Sequence, residues 1–433
     1  MNRRTFLLSS ACAARVLGAN DRVNIGVIGV GGRGNYHVQS LCRRADTEVA
    51  AVCDVDTGRI ERAVQSAYSA GRAKPKEYRD MRQLLDDKSI DAVFIATTNH
   101  WHALSTIWAC QAGKDVYVEK PATYNIFESE RVVAAARQHN RIVQVGTQRR
   151  SLAHKRRAIE LLRQGYIGQL YMARGLCYKR RRSIGHKPDG PVPPGVNWDL
   201  FLGPAPMRPY NANRQFGWHW MWDTGNGDIG NQGIHEMDIA RWGLNKSESP
   251  KTVYSGGAKY IYKDDQETPN TQIAIIDYGD CELTFEVRGL MTGPESEMSL
   301  RGQNFIGNLF YGSEGYMVLE DSGFQTFLGD ERKPGEKMKA VEPVYATRVK
   351  EPGGEEGPHV ANFIAAMKSR RYQDLHTDIQ DGAISANLVH LANISYRTGR
   401  KLTLEPGTYT IAGDSEANAL KTRHPYRAPY VVT

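Results

Sequence analysis

Between Asp21 and Gly146 short apolar runs alternate with stretches of helical periodicity. The runs are NIGVIG, EVAAVCD, DAVFIATT, DVYVEK and RIVQVG, and the segments between them include RIERAVQSAYSAG and NIFESERVVAAARQH. Brief β-branched runs, separated by segments whose apolar positions recur every three to four residues, predict five parallel strands in a doubly wound α/β sheet. In such a sheet ligands bind beyond the carboxyl ends of the strands, so the residues that follow each run are the first candidates for chemistry.

After Thr147 the pattern changes. Leu170 to Tyr178 and Thr271 to Arg288 read as strands, the latter broken by Gly279-Asp280 as in a hairpin, and MSLRGQNFIGNLFYGSEGYMVLED continues in that style. From about His359 helical segments return, HVANFIAAMKS and DGAISANLVHLANISYRTG. This predicts a C-terminal α+β domain with a large, mostly antiparallel open sheet, its last helices packing along the sheet and back towards the first domain. The division expected is a leader over 1–20, a Rossmann-type domain over 21–146 and a second domain over 147–433.

The first run ends in VNIGVIGVGGRG, which places Gly29, Gly31 and Gly34 in G-x-G-x-x-G spacing before a helix-like NYHVQSLCRRA. The first glycine permits the tight turn, the second lets a pyrophosphate approach the main chain, and the third lets helix and strand pack closely. The phosphates would meet the free N–H groups of the helix start, with Gly32 and Arg33 in the same turn. A bare packing turn is the competing reading. Against it, the second run ends in Asp54, where an acid can grip the adenosine ribose hydroxyls and repel a 2′-phosphate. NAD is therefore expected in preference to NADP, with Arg59 the one nearby cation that could upset the preference.

Two further clusters follow strand ends: Thr97-Thr98-Asn99-His100-Trp101-His102 and Glu119-Lys120-Pro121. A lysine preceded by a possible ion-pair partner and followed by a turn-fixing proline can be held over a cofactor, or it can be an ordinary surface lysine. In the second domain GNQGIHEMDIARW has a flexible glycine approach, Gly227 to Gly233, and a helix that puts His235, Asp238 and Trp242 near one face. His235 is a candidate for catalysis or substrate binding, and Asp238 either orients it or complements the helix dipole. FGWHWMWD alternates Trp218, Trp220 and Trp222 around His219, which suits either a sugar platform built on Trp220 and Trp222 or one face of a core strand. Arg149, Tyr210 and Arg214 are further candidates for recognising hydroxyls or carboxylates. No metal site is expected, because neither His235 with Asp238 nor His100 with His102 is joined by a third ligand at a telling distance.

Composition narrows the partners. The 433-residue chain carries a formal net charge of +8, but its basic runs, Arg149-Arg150, Lys155-Arg156-Arg157 and Lys179 to Arg182, lack interleaved aromatics, so a nucleic-acid partner is not expected. No apolar stretch is long enough to form a transmembrane helix. The opening MNRRTFLLSSACAARVLGAN resembles a twin-arginine export signal through Arg3-Arg4 and predicts a periplasmic or otherwise exported protein. Ser9 stands where a lipoprotein box carries leucine, so lipid anchoring at Cys12 is not expected. The other five cysteines show neither C-x-x-C nor Cys/His pairing and read as packing thiols.

With the GVGGRG turn, Asp54, TTNHWH and AGKDVYVEKP in order, the chain resembles the Gfo/Idh/MocA family, named for glucose-fructose oxidoreductase and inositol dehydrogenase. NWDLFLGPAP and WHWMWDTGNGDIGNQGIHEMDIARWGL look like its large exported bacterial branch. The resemblance implies a nicotinamide enzyme acting on sugars, cyclitols or their derivatives, with Lys120 near the reacting hydroxyl and His235 sharing the proton. It adds Thr97, Asn99, His102, Glu119, Lys120 and Gln148 to the cofactor-binding candidates, and implies a homodimer or homotetramer formed through the open sheet. Asn231 stands where the family often has an aspartate paired with the histidine, and an amide cannot accept a proton as a carboxylate does. A redox-neutral glycosidase that retains its NAD is the alternative. Its relatives carry Tyr-x-x-His where this chain has Gln232-Gly233-Ile234-His235.

Overall fold

The computed structural model describes residues 22–292, 305–341, 357–423 and 425–433. The expected export signal, Cys12 and the MSLRGQ part of the expected strand region lie outside the described residues.

The first sheet has six parallel strands: β1 (Val23–Ile28), β2 (Thr47–Cys53), β3 (Lys76–Tyr78), β4 (Ala92–Ile95), β5 (Asp115–Val118) and β6 (Val143–Val145). They are ordered β3-β2-β1-β4-β5-β6. Five of these correspond to the apolar runs. The sixth, β3, is an edge strand of sequence KEY paired with β2, and its polar side chains give no apolar signal. Successive side chains point to opposite faces, so Ala92, Phe94 and Tyr117 join one buried cluster while Val93, Ile95, Val116 and Val118 join another. Helices cover both faces, which is why these strands read as unbroken apolar runs rather than as alternation.

The late helix Gly357–Ser369 brings Val360, Phe363, Ile364 and Met367 into the same cluster as Phe94 and Tyr117. The C-terminal Tyr430 and Val432 join the opposite cluster, which contains Ile95 and Trp101. The chain's end thus returns to the first sheet, whose core is built from both ends of the sequence.

The second sheet has nine strands: β7 (Leu170–Tyr178), β8 (Thr252–Ala258), β9 (Thr271–Asp277), β10 (Glu282–Arg288), β11 (Phe305–Gly312), β12 (Gly315–Glu320), β13 (Gly323–Leu328), β14 (Lys333–Lys339) and β15 (Leu402–Thr403). Their order is β14-β13-β12-β11-β7-β10-β9-β8-β15, antiparallel except where β7 pairs in parallel with β10. Here burial alternates: Ala274, Ile276, Leu283, Phe285 and Val287 face inward, while Tyr171, Tyr254 and Ile273 are exposed. The inner face carries the helices Gly233–Gly243 and Ile379–Thr398. Gly233 lets the first of these approach closely, since a Cβ there would lie 2.4 Å from the Phe285 ring. The stretch expected to be a flexible glycine approach is instead a short buried helix, Gly227–Asn231, leading into it.

Candidate active site

A cavity of about 850 Å³ runs along the carboxyl ends of β1, β2, β4 and β5 and is closed by residues of the second domain. The glycine turn forms one end. Gly29 takes φ +81°, and a Cβ there would lie 2.8 Å from the Ala96 main chain. A Cβ on Gly34 would sit 1.8 Å from the Gly29 carbonyl oxygen, so the third glycine serves close packing and lies behind the cavity wall. Gly31, Gly32 and Arg33 line the cavity, and the helix Gly32–Cys42 starts with no side-chain cap. Its first N–H groups are therefore left for a ligand, and at Gly32 even a Cβ would meet nothing within 4 Å. Beside them Asp54 is buried, accepting from the Val30 N–H at 2.8 Å and the Asp56 N–H at 3.1 Å. Burial outweighs these bonds and the nearby Arg59, and raises its pKa to about 6. Each carboxylate oxygen keeps a lone pair for a ribose hydroxyl. An open helix start, a cradle without side chains and a carboxylate at the second strand end together fit a dinucleotide.

The strand-end clusters meet the cavity differently. Asn99 lines it and is oriented by donating to Asn226 Oδ1 at 3.0 Å. Thr97 and Gln148 also line it. His102 lies in the wall, but its ring spans the Pro121 carbonyl at 2.7 Å and the Thr97 carbonyl at 3.2 Å, tying the turn after Lys120 to the turn after β4. Glu119 is paired with Arg33 at 2.7 Å and His37 at 2.9 Å. Burial alone would raise its pKa, but Arg33, His37 and Lys120 outweigh it and hold the carboxyl well below its ordinary range.

Lys120 keeps partial access to the cavity, and its Nζ donates to the main-chain carbonyl of Asn231 at 2.5 Å. Loss of hydration is the largest influence on the ammonium. Glu119 opposes it, Arg33, Arg181 and Lys179 reinforce it, and the pKa comes down to about 8. His235 is buried with Nδ1 unpartnered among the described residues. Burial first, then Arg149 and Lys120, hold it well below its usual range, so it is neutral.

Asn231 lines the cavity, and among the described residues its side chain reaches only Asp228 Oδ1, at 3.5 Å. The carboxylate absent at 231 is thus present three residues earlier, yet Asp228 is engaged by Arg181 at 2.7 and 3.0 Å. This pair had no local signature in the sequence.

Several candidates lie elsewhere. Asp238 is off the cavity wall, held by Arg150 through two 2.8 Å bonds and by Ser385 Oγ at 2.6 Å. Arg149 reaches the wall, but its guanidinium is committed to the buried carboxylates Glu236 and Asp321. Tyr210 packs edge-on to Trp198 and donates to Gln215, while Arg214 pairs with Asp189, and neither lines the cavity. Trp220 and Trp222 also lie off the wall, under Arg181 and Arg397 respectively. The core strand, one of the two alternatives for this segment, does not form. Trp218–Trp220 is a single 3-10 turn, which sends Trp218 and His219 to the cavity instead. Gln232, which stands at the tyrosine position of Tyr-x-x-His, and Tyr430, which no motif announced, line it as well.

Residues 23–147 match the oxidoreductase family with the NAD-binding Rossmann fold, Gfo/Idh/MocA, and residues 177–277 and 329–432 match that family's C-terminal α/β domain. Among curated proteins, inositol 2-dehydrogenase of Salmonella typhimurium is 32% identical over 231 residues, 53% of this chain and 56% of that protein. A glycosyl hydrolase family 109 protein of Shewanella pealeana is 30% identical over 154 residues, 35% of this chain and 34% of that protein. The chain thus matches between about a third and just over half of these relatives' lengths. Levoglucosan dehydrogenase, solved in complex with NADH and levoglucosan, shares the fold at a TM-score of 0.64 and 18% identity, covering 88% of this chain and 99% of that one. The chain belongs to the Gfo/Idh/MocA family of oxidoreductases, with NAD as its cofactor.

Proposed function

We propose that the protein is a dehydrogenase that moves a hydride between a carbinol carbon of a sugar, glycoside or cyclitol and NAD, with Lys120 handling the hydroxyl proton. One observation carries this reading: the Lys120 ammonium lies in the same cavity as the glycine cradle, is anchored on the Asn231 carbonyl, and has a pKa of about 8. A bound nicotinamide supplies the hydride acceptor. Lys120 in its free-base form takes the hydroxyl proton, within the range in which a general base works near neutral pH. His235, neutral and on the wall of the same cavity, offers the hydroxyl a second hydrogen-bonding partner. Incubation of the full-length protein with NAD and levoglucosan, myo-inositol or methyl glycosides tests this. NADH formed in proportion to oxidised product supports it, and no NADH with any member of a broad carbohydrate panel sinks it.

The redox-neutral glycosidase is a second reading, favoured by the similarity to the glycosyl hydrolase family 109 protein. Release of the aglycone from aryl glycosides without added NAD, and without net NADH, would select it. Two further attributes belong to the proposal. The exposed Tyr171, Tyr254 and Ile273 on the outer face of the second sheet suit a homodimer or homotetramer, which light scattering in solution reads directly. The Arg3-Arg4 leader suits twin-arginine export, and retention of the protein inside the cell after replacing both arginines by lysine tests that.

A further inference from the structure

The turn Trp218–Trp220 holds an imidazole in an unusual state. His219 lines the cavity with its ring stacked on Trp218, centroids 3.5 Å apart and planes 21° apart. Its main chain is fixed on both sides. Thr224 Oγ1 donates to the Trp218 carbonyl at 2.9 Å, Trp220 N–H donates to Gly217 O at 2.9 Å, and Gly225 lies so close that a Cβ there would be 2.4 Å from the His219 carbonyl. The ring, by contrast, makes no hydrogen bond to the described residues. His235, on the same wall, has a buried Nδ1 that is likewise unpartnered among the described residues, whereas His37 is committed to Glu119, His100 to the Phe201 carbonyl and His102 to the Pro121 carbonyl. An imidazole fixed in place on the cavity wall, its ring not committed to the described residues, is available to a group that enters the cavity.

Its surroundings select that group. Burial, with Lys120 and Arg181 facing it, brings the His219 pKa down to about 3, so the ring is neutral throughout the working range. A neutral imidazole offers one N–H donor and one nitrogen acceptor, which matches a hydroxyl that both accepts and donates. A carboxylate or phosphate only accepts and would leave the ring's acceptor nitrogen unpaired.

We propose that His219 is a substrate-binding residue that takes a hydroxyl of an uncharged, polyhydroxylated ring at the edge of its imidazole while its face rests on Trp218. This rests on the dehydrogenase reading and deepens it. The substrate class becomes a neutral sugar or cyclitol rather than a uronate or sugar phosphate.

The test uses full-length enzyme loaded with NADH, with myo-inositol, levoglucosan and D-glucuronate as probes, binding followed by calorimetry and turnover by NADH formation from the NAD-loaded enzyme. A neutral probe should bind more tightly than glucuronate. His219→Phe keeps an aromatic ring on Trp218 and should weaken neutral-probe binding about tenfold, and His219→Gln, with its own donor and acceptor, should return to within about threefold of wild type. NADH affinity should be unchanged in both variants. Neutral-probe binding by His219→Phe within about twofold of wild type, preference for glucuronate, or loss of NADH affinity in both variants overturns the assignment. The two levels separate. His219-dependent binding without NADH formation would sink the dehydrogenase reading and keep the contact, whereas equal NADH formation by wild type and His219→Phe would sink the contact and keep the dehydrogenase. Absence of binding by all three probes overturns the contact together with its substrate class.

Discussion

The Nζ of Lys120 donates to the main-chain carbonyl of Asn231 at 2.5 Å, so a short helix of the second domain holds the strand-end lysine of the first through an atom that no side-chain substitution removes. The contact couples the position of Lys120 to the docking of the two sheets.

Lys120→Ala is expected to leave NAD affinity nearly intact, because the glycine turn and Asp54 form the other end of the cavity, and to lower kcat by on the order of 10²- to 10⁴-fold. In the wild type the depressed pKa means that the free base accumulates as pH rises through about 8, so the oxidation rate should climb through that pH and level off above it. Steady-state pH profiles with NAD titrations check both. A variant that keeps the rate and the limb would make the lysine structural.

Asn231→Ala retains the carbonyl that holds Lys120 and should stay within about an order of magnitude of wild-type kcat, well short of the loss of a general base. Asn231→Asp should act differently. A carboxylate there, near Asp228 and Lys120, favours the protonated forms of Lys120 and His235, which moves the rising limb of the pH profile above 8. A limb that stays in place in Asn231→Asp would mean that the new charge is turned away from Lys120.

Asp54 should confer preference for NAD over NADP, and Asp54→Ser should narrow or reverse it, since Arg59 stands beside the carboxylate and Arg62 lines the same cavity. The raised pKa sets a pH dependence: below about 6 the carboxyl is protonated and loses acceptor capacity, so NAD affinity should fall as pH drops through 6 and hold steady above it. Fluorescence titrations with both dinucleotides from pH 5 to 8 read this out, and tighter NADP binding by the wild type would refute the preference.

Arg150→Ala should destabilise the fold by on the order of 3 kcal/mol, because it leaves the buried Asp238 without the guanidinium that makes two 2.8 Å bonds to it. Denaturant unfolding measures the change. A shift under about 1 kcal/mol would show that Ser385 and Arg241 suffice as partners.

Much of the architecture is written locally. The glycine turn, Asp54 at the second strand end, and the lysine before Pro121 are each fixed by the few residues around them, because a strand buried on both faces needs an unbroken apolar run and a tight turn needs glycine. The edge strand Lys76–Tyr78 escaped because its side chains are mostly exposed, and its pairing with β2 is a main-chain property. Likewise the helix Gly357–Ser369 announces its own periodicity but not that its apolar face will cover Phe94 and Tyr117, more than two hundred residues away.

The cavity wall divides along the same line. The sequence by itself determined which residues could carry chemistry: the glycines, Asp54, Lys120 and His235. Only the tertiary structure decided which of them are free to use it. Arg149 and Asp238 are candidates by type, but burial requires charges to be paired, and Glu236, Asp321 and Arg150 claim them from distant elements. Trp220 and Trp222 satisfy an alternating pattern, yet a 3-10 turn breaks the alternation and sends Trp218 and His219 inward. Periodicity reports how a segment folds on itself. Whether a side chain ends in a cavity or against a partner depends on contacts with residues remote in the chain, whose identity no local pattern encodes.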